Sequence, residues 1–162
     1  MGSRTFEAAG YLRRNGADLT LVKTLFQNDF DSFIHVARTV QTADIGSDGV
    51  AIALCEPGID APQLIAARAA DELLKVKGVK AAFTLADMGD YINISGRSYG
   101  LINVQLILER LGGGGHLTMA GAQVRGKTME EATELLKSCI RPEKRPEGPE
   151  AEPTNHPSQD GE

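Results

Sequence analysis

Cysteine is scarce in this sequence, tryptophan is absent, and long apolar runs are missing. Neither Cys55 nor Cys139 has a second thiol or a histidine at ligand spacing, which indicates a reducing compartment and no zinc. No apolar run approaches the roughly 18 to 20 residues that cross a bilayer, and no secretory signal is recognisable. We therefore expect this chain to be cytoplasmic and to make no membrane contact of its own.

Positive charge is also in short supply, with 17 Lys and Arg against 22 Asp and Glu and a net charge of -5. Long nucleic acid usually requires an excess of Lys and Arg, so we do not expect it as a partner, although a small anion can still bind locally.

The aspartates fall at caps, turns and helix faces, without a His-x-Asp or Asp-His-His cluster for two cations. Ser95 and Ser98 lack a general base at any readable spacing. The sequence therefore predicts no metal site and no catalytic residue in this chain.

The chain is long enough for one ordinary domain with its own core. Residues 1–3 read as a cloning remnant, and residues 4–43 form a helical arm with an apolar stripe. The folded domain is expected at 44–140. Residues 141–162 hold five of the seven prolines and six acidic residues without apolar periodicity, which is typical of a disordered tail.

Capping residues and apolar periodicity predict helices mixed with strands. Helix starts are expected at Asp18, Asp60, Asn103 and the capping box Thr128–Glu131. The helix that begins at Asp60 is expected to have Pro62 in its first turn and Val76 in its buried stripe, and to end at Gly78. Helices are expected at Thr5–Arg14, along an apolar stripe from Leu21 through Leu25 and Phe26 to Val40 that breaks near Asn28–Asp29, and at Asn103–Leu111. Strands are expected at Val50–Cys55, Val79–Leu85, Tyr91–Ser98 and Met119–Val124. This order predicts a mixed α/β (α+β) fold, an open sheet of about five strands flanked by helices.

Gly112 to His116 lie between a helix and a strand, the reverse of the strand-to-helix order of Rossmann and P-loop glycines, so a dinucleotide fold is rejected. A helix C-terminus repels an anion unless the chain turns its N–H groups around. Glycines allow that reversal, and we expect their amides to converge into an anion-binding nest. The alternative is a helix C-cap followed by a flexible loop.

Two side chains are expected beside this nest. His116 offers both ring nitrogens to a phosphate oxygen or a base edge. Arg97 lies on the same strand face as Asn93 and Ser95, and its guanidinium would clamp a phosphate. The alternatives are an exposed histidine and a solvated arginine at a strand end.

Three segments together resemble the DHHA1 domain that follows the DHH domain in a large phosphoesterase family: Ile94-Ser95-Gly96-Arg97-Ser98, Ile102-Asn103-Val104-Gln105 and Gly112 to His116. The second segment and His116-Leu117-Thr118 are most similar to GdpP-type cyclic-di-AMP phosphodiesterases. Arg4 to Asp18 is similar to the segment in which such enzymes leave their DHH domain. Met119, Gly121 and Ala122 depart from that pattern, because they replace an amide and a hydroxyl with groups that only pack.

The resemblance implies a two-domain enzyme in which the DHH domain of the same parent chain holds two manganese ions. The DHHA1 half would grip a cyclic dinucleotide or short oligonucleotide, and hydrolysis of cyclic di-AMP would give pApA. By position, Arg97 and Ser98 would contact phosphate, the backbone of Gly113, Gly114 and Gly115 would cradle the nucleotide, and His116 would bind phosphate or base. Thr118 belongs to the same substrate-binding motif. This chain would bind nucleotide and be inactive alone, and the parent chain would carry membrane-spanning segments, with this domain on the cytoplasmic side.

Two other functions fit the same sequence. One is an interaction module, as in similar domains of alanyl-tRNA synthetases, in which the apolar arm from Leu21 to Val40 drives homodimerisation. The other is the substrate domain of a nanoRNA-degrading enzyme of the oligoribonuclease and pAp phosphatase kind.

Overall fold

The computed structural model describes residues 3–24 and 29–140. These residues form six helices and six strands. The helices are α1 (Ser3–Arg14), α2 (Leu19–Thr24), α3 (Phe30–Gln41), α4 (Pro62–Leu73), α5 (Val104–Glu109) and α6 (Met129–Ile140). The strands are β1 (Asp44–Ile45), β2 (Val50–Leu54), β3 (Ala81–Asp87), β4 (Tyr91–Ser98), β5 (Gly114–His116) and β6 (Met119–Arg125).

The strands form one open sheet in the order β1-β2-β3-β4-β6-β5. Only β2 and β3 run parallel, and α4 makes the crossover that a parallel pair requires. All other neighbours are antiparallel. The expected mixed sheet with flanking helices is therefore confirmed, and the sixth strand comes from the glycine segment.

The sheet separates two layers of helices, because alternate residues of each strand point to opposite faces. On one face Phe83, Leu85 and Ile94 pack with Leu108 of α5 and Leu136 of α6. On the other face small residues let α4 approach the sheet closely, and they are Ala51, Ala53, Ala82 and Ala86. Each layer thus has an apolar core, and we call the second face the α4 face.

Most capping predictions are confirmed. Asp18 accepts from the amide of Thr20, and the side chain of Asn103 accepts from the amide of Leu106. Thr128 and Glu131 exchange the reciprocal bonds of a capping box at 3.0 and 3.2 Å.

The predicted limits of α4 are wrong. Ala61, in the left-handed region with φ of 49°, is the N-cap instead of Asp60, and no side chain caps the helix. Pro62 opens the helix as expected, because its fixed φ suits the first turn. The helix ends at Leu73, before Gly78, and Val76 is 42% exposed instead of lying in the buried stripe. Two turns that follow the helix, closed by hydrogen bonds within 72–79, carry the chain to β3.

The arm divides into a packed and an unpacked part. In α3, Val36 and Thr39 are buried, and the helix contacts α4, so it joins the domain. In α1 no residue is buried. The predicted break before α3 is confirmed by Asp29, which caps that helix through the amide of Ser32. The predictions for Leu25 and Phe26, for residues 1–2 and for the tail at 141–162 lie outside the described residues.

The α4 face is covered over β2, β3 and part of β4 and is open over β6 and β5. Along β6 the residues alternate between buried and exposed, with Ala120, Ala122 and Val124 buried on the other face. The exposed residues are Met119, Gly121, Gln123 and Arg125. This uncovered strip of sheet is bounded by α4 on one side and the glycine segment on the other, and its backbone is accessible to a ligand. Within the described ranges no helix is long and apolar enough to cross a bilayer.

Candidate functional site

The glycine segment begins as the end of α5. The amide of Gly112 donates to the carbonyl of Glu109 at 3.0 Å, and the amide of Gly113 donates to that of Leu108 at 2.9 Å. Gly112 has a φ of 74°, so the pair of bonds forms a Schellman motif with glycine in the left-handed position. The predicted nest is wrong for these two residues, because their amides are occupied by the chain's own carbonyls.

The rest of the segment is an edge strand instead of a loop. Gly114, Gly115 and His116 pair with Gly121, Ala120 and Met119 of β6. Glycine is required at 113 and 115 for close packing: a β carbon at Gly113 would overlap the carbonyl oxygen of Gly121, and one at Gly115 would overlap that of Met119. A β carbon at Gly114 would meet nothing within 4 Å. The run of glycines thus serves helix termination and close strand approach, and Gly114 keeps the site free of side chains.

Arg97 is held in place on the α4 face. Its Nε donates to Asp71 of α4 at 3.0 Å, and its Nη1 donates to the carbonyl of Gly96 at 3.0 Å. The side chain is 13% exposed, while that of Asp71 is 53% exposed. A guanidinium has five N–H donors, so these bonds fix its plane and leave three donors without a partner among the described residues. Arg97 therefore has a fixed orientation beside the uncovered strip.

His116 and Thr118 are exposed near the tip of the β5–β6 hairpin. The register places Arg97, Met119 and His116 side by side, so all three share the α4 face. Two strand spacings separate Arg97 from His116, which is about 10 Å between their backbones. Arg97 and His116 thus flank Met119, and a ligand of nucleotide size can contact both side chains.

Ser98 does not contribute its side chain to this face. Ser98 is 4% exposed. Its hydroxyl donates to the carbonyl of Ile102 at 2.7 Å and accepts a hydrogen bond from the amide of Gly100. Its amide donates to the carbonyl of Thr118. The expectation that Ser98 contacts phosphate is wrong, because the hydroxyl is committed to fastening the 99–102 loop and the hairpin to β4.

A second group of residues lies at the other end of the uncovered strip and was not predicted. An open cavity of about 540 Å³ lies there, beyond Arg97 and His116. Its walls include Gln63 of α4, Asn93 of β4 and Gln123 of β6, and its floor is formed by glycines of β5 and β6. Arg125 completes this end, with its guanidinium 5.2 Å from the centre of the Tyr91 ring.

The sequence contains only a weak signal for this group. Polar residues at every second position of β6 indicate an exposed strip, and Asn93 was placed on the face of Arg97. The contribution of Gln63 and the Asp71–Arg97 pair could not be found in this way, because both join α4 to strands more than 20 residues away.

Metal ligands are not grouped in the described part of the chain. Among residues 3–24 and 29–140, no three His, Cys, Asp or Glu side chains lie close enough together to hold an ion. The residues present at this site therefore do not fit the two manganese ions that the sequence resemblance associates with the whole enzyme. The uncovered strip presents two guanidinium groups, one imidazole, three carboxamides and exposed glycine backbone.

Comparison with known proteins identifies the family of the chain and its fold. Residues 47–141 match the DHHA1 domain. The chain is 44% identical over 140 residues to the cyclic-di-AMP phosphodiesterase GdpP of Geobacillus thermodenitrificans. It is 46% identical over the same length to the cyclic-di-AMP phosphodiesterase PdeA of Listeria monocytogenes. Each match covers 86% of this chain and 21% of the relative, so the chain spans about a fifth of the length of these relatives.

A shorter match and a solved structure extend the comparison. Over 68 residues, 42% of this chain and 21% of the relative, the chain is 34% identical to the bifunctional oligoribonuclease and PAP phosphatase NrnA of Thermus thermophilus. A crystal structure of an exopolyphosphatase-related protein from Bacteroides fragilis superimposes with a TM-score of 0.74 at 18% identity. That match covers 86% of this chain and 43% of the other and shows a shared fold.

Proposed function

The chain belongs to the DHHA1 domain family, and from this membership we propose that it is the substrate-binding domain of a metal-dependent phosphodiesterase that hydrolyses cyclic di-AMP to pApA. The two relatives of about 45% identity are phosphodiesterases of that cyclic dinucleotide. The observation that carries the proposal is Arg97, fixed by Asp71 beside an uncovered strip of sheet. The strip is open where a nucleotide would have to lie.

In this proposal Arg97 and His116 bind phosphate. Arg97 is largely buried, and three of its donors have no partner in the described part of the chain, so a phosphate oxygen gains charge-assisted hydrogen bonds without the entropic cost of ordering the side chain. His116 is exposed and approaches from the edge strand, so it contacts the same or the next phosphate as a donor. Gly114 lets the ligand approach the backbone between them.

The reaction itself requires a second domain. We place the two manganese ions in a DHH domain of the same parent chain, where they would activate the attacking water. The residues described here bind and orient the dinucleotide across the cleft. We accordingly expect this chain alone to bind nucleotide weakly and to turn none over with added manganese, while the same chain extended through a DHH domain is active.

A titration of cyclic di-AMP into isotopically labelled chain, followed by NMR, tests the binding role. The amides near Arg97, Gly114 and His116 should shift, and Arg97→Lys should weaken binding by about tenfold, because an ammonium lacks the planar fork. Arg110→Lys is the matched control, since Arg110 bonds the carbonyl of Cys139 on the opposite side of the sheet. Absence of shifts at Arg97, Gly114 and His116 would contradict the proposal.

The shorter match to NrnA supports one competing substrate. If this domain serves an enzyme that degrades short RNA, the linear substrates should bind more tightly than the cyclic one. Parallel titrations with cyclic di-AMP, pApA and diadenylate rank the two functions. We expect cyclic di-AMP to bind most tightly, and tighter binding of diadenylate would favour the oligoribonuclease function.

Exposed apolar side chains on the arm favour a second role as an interaction surface. Phe6 and Leu12 of α1 are 66% and 58% exposed, and Leu21 of α2 is 65% exposed. An apolar helix face without a partner is covered by another domain or a second copy of the chain. Light scattering before and after deletion of residues 4–24 distinguishes these cases: a dimer that becomes a monomer on deletion identifies the second copy as the partner.

A further inference from the structure

We propose that the carboxamides of Gln63, Asn93 and Gln123 form a nucleobase subsite that selects adenine, at the end of the uncovered strip opposite Arg97 and His116. The inference rests on the proposed function and deepens it, because it names the residues that read the base. The subsite is distinct from the phosphate-binding residues, and the two can be tested separately.

The three carboxamides come together from different elements. Asn93 and Gln123 are directly opposite partners in the β4–β6 ladder, so their side chains leave the same face side by side. Gln63 enters the cavity from the first turn of α4. Gly113, Gly114 and Gly121 line the same cavity on the side of β6 and β5. A cavity of about 540 Å³ with a flat glycine floor accepts a planar ring system, and its volume is within the range of small-molecule sites.

The polar atoms of this subsite are available. Asn93 is 5% exposed, and its only hydrogen bond among the described residues joins Nδ2 to Ser95 Oγ at 3.3 Å. Whichever way the amide is turned, only one of its two polar atoms can meet Ser95. In the described residues, every fully buried side-chain polar atom has a hydrogen-bond partner. The other polar atom of Asn93 has no such partner, so it is not fully buried, and it lies at the cavity that Asn93 lines. The exposed side chains of Gln63 and Gln123 make no hydrogen bond to a described residue.

Carboxamides match adenine. The adenine edge places the N6 donor beside the N7 acceptor, and an Asn or Gln amide offers the complementary acceptor and donor. Guanine presents two acceptors at the same edge, O6 and N7, which call for a cation instead. The nearby cation, Arg125, lies over the Tyr91 ring, which stabilises its position at the rim of the cavity. The three carboxamides therefore favour adenine, whereas Arg125 is the one cation of this lining that could contact guanine.

The spacing links the subsite to the phosphate-binding end. Asn93 and Arg97 are four residues apart on β4, which is about 13 Å of extended strand. A ligand that contacts both must be extended and carry a base at one end and a phosphate at the other. A dinucleotide meets this requirement, and an inorganic phosphate does not.

The test compares two cyclic dinucleotides on four proteins. Cyclic di-AMP and cyclic di-GMP are titrated into the wild-type chain, the Gln63→Ala/Gln123→Ala double variant, Arg97→Lys, and Gln105→Ala as a matched control. Gln105 is on α5 and bonds Glu109, away from the strip. The double variant should bind cyclic di-AMP about tenfold more weakly and cyclic di-GMP within about twofold of wild type, as expected for lost bonds to one base edge. Unchanged thermal unfolding confirms that the variants are folded.

The possible outcomes separate the two proposals. If the double variant binds cyclic di-AMP like the wild type while Arg97→Lys weakens binding, the base subsite is refuted and the proposed function stands. If both dinucleotides lose affinity equally in the double variant, adenine selection is refuted. If the wild-type chain binds neither ligand, the proposed function fails and the subsite fails with it.

Discussion

Substitution of Gly113 by alanine should destabilise the domain, whereas the same substitution at Gly114 should not. The added methyl group at 113 would lie 2.6 Å from the β carbon of Ala122 and 2.8 Å from its α carbon, and it would also overlap the carbonyl oxygen of Gly121. Overpacking costs about 1–3 kcal/mol, and the upper half applies here because a backbone oxygen cannot rotate away. We expect a loss of about 2–3 kcal/mol in the free energy of unfolding.

Thermal unfolding followed by circular dichroism measures this difference. For a domain of this size the loss corresponds to a Tm about 6–12 °C lower. Gly114→Ala is the control, since its methyl group would meet nothing within 4 Å and Gly114 has no positive φ. It should leave Tm unchanged or slightly higher, because alanine restricts the unfolded chain. A Gly113→Ala protein that melts with the wild type, or a Gly114→Ala protein that loses as much, would refute the packing argument.

Three further substitutions test the remaining contacts. Asp71→Asn should weaken nucleotide binding about three- to tenfold by releasing Arg97, and calorimetric titration should show no such loss for the neighbouring Glu72→Gln. Ser98→Ala should cost about 1–3 kcal/mol in urea unfolding, because it leaves the amide of Gly100 and the carbonyl of Ile102 without their buried partner. The amide of Thr128 and then the ammonium of Lys127 lower the pKa of Glu131, so its contribution is present above the usual glutamate range and lost as pH falls below about 4. Tm measured from about pH 6 to about pH 3 should fall less steeply in Glu131→Gln than in the wild type, and equal slopes would contradict this.

The sequence alone determined the elements whose signals are local. Asp18, Asn103 and the Thr128–Glu131 box each act within a turn or two of their own position, so helix starts were predictable from them. Alternation along β4 placed Arg97, Asn93 and Ser95 on one face, because strand geometry has a fixed period of two. The resemblance to the DHHA1 family also came from the sequence, since its motif residues are contiguous in three short segments.

Local signals failed where a long-range contact decided the outcome. β5 formed from residues that read as a loop, because pairing with β6 supplied hydrogen bonds that no local pattern records. Ala61 also replaced Asp60 as the N-cap of α4, without a side-chain hydrogen bond to the start of the helix. Ser98 was expected to face a ligand, but its hydroxyl is within hydrogen-bond distance of the carbonyl of Leu117, 19 residues away in the hairpin, as well as that of Ile102. Such outcomes depend on residues that are far apart in the chain or packed against it from another element.

What the sequence determined, then, is which polar residues share one face of β4 and where most helices and strands begin. The tertiary structure decided which polar residues have free atoms. Docking of α4 on the sheet brought Asp71 to Arg97 and Gln63 to Asn93 across more than 20 residues, and helix termination occupied the amides of Gly112 and Gly113. The physical reason is that a hydrogen-bonding group is available to a ligand only where the folded chain has left it unsatisfied, and that depends on every element packed around it.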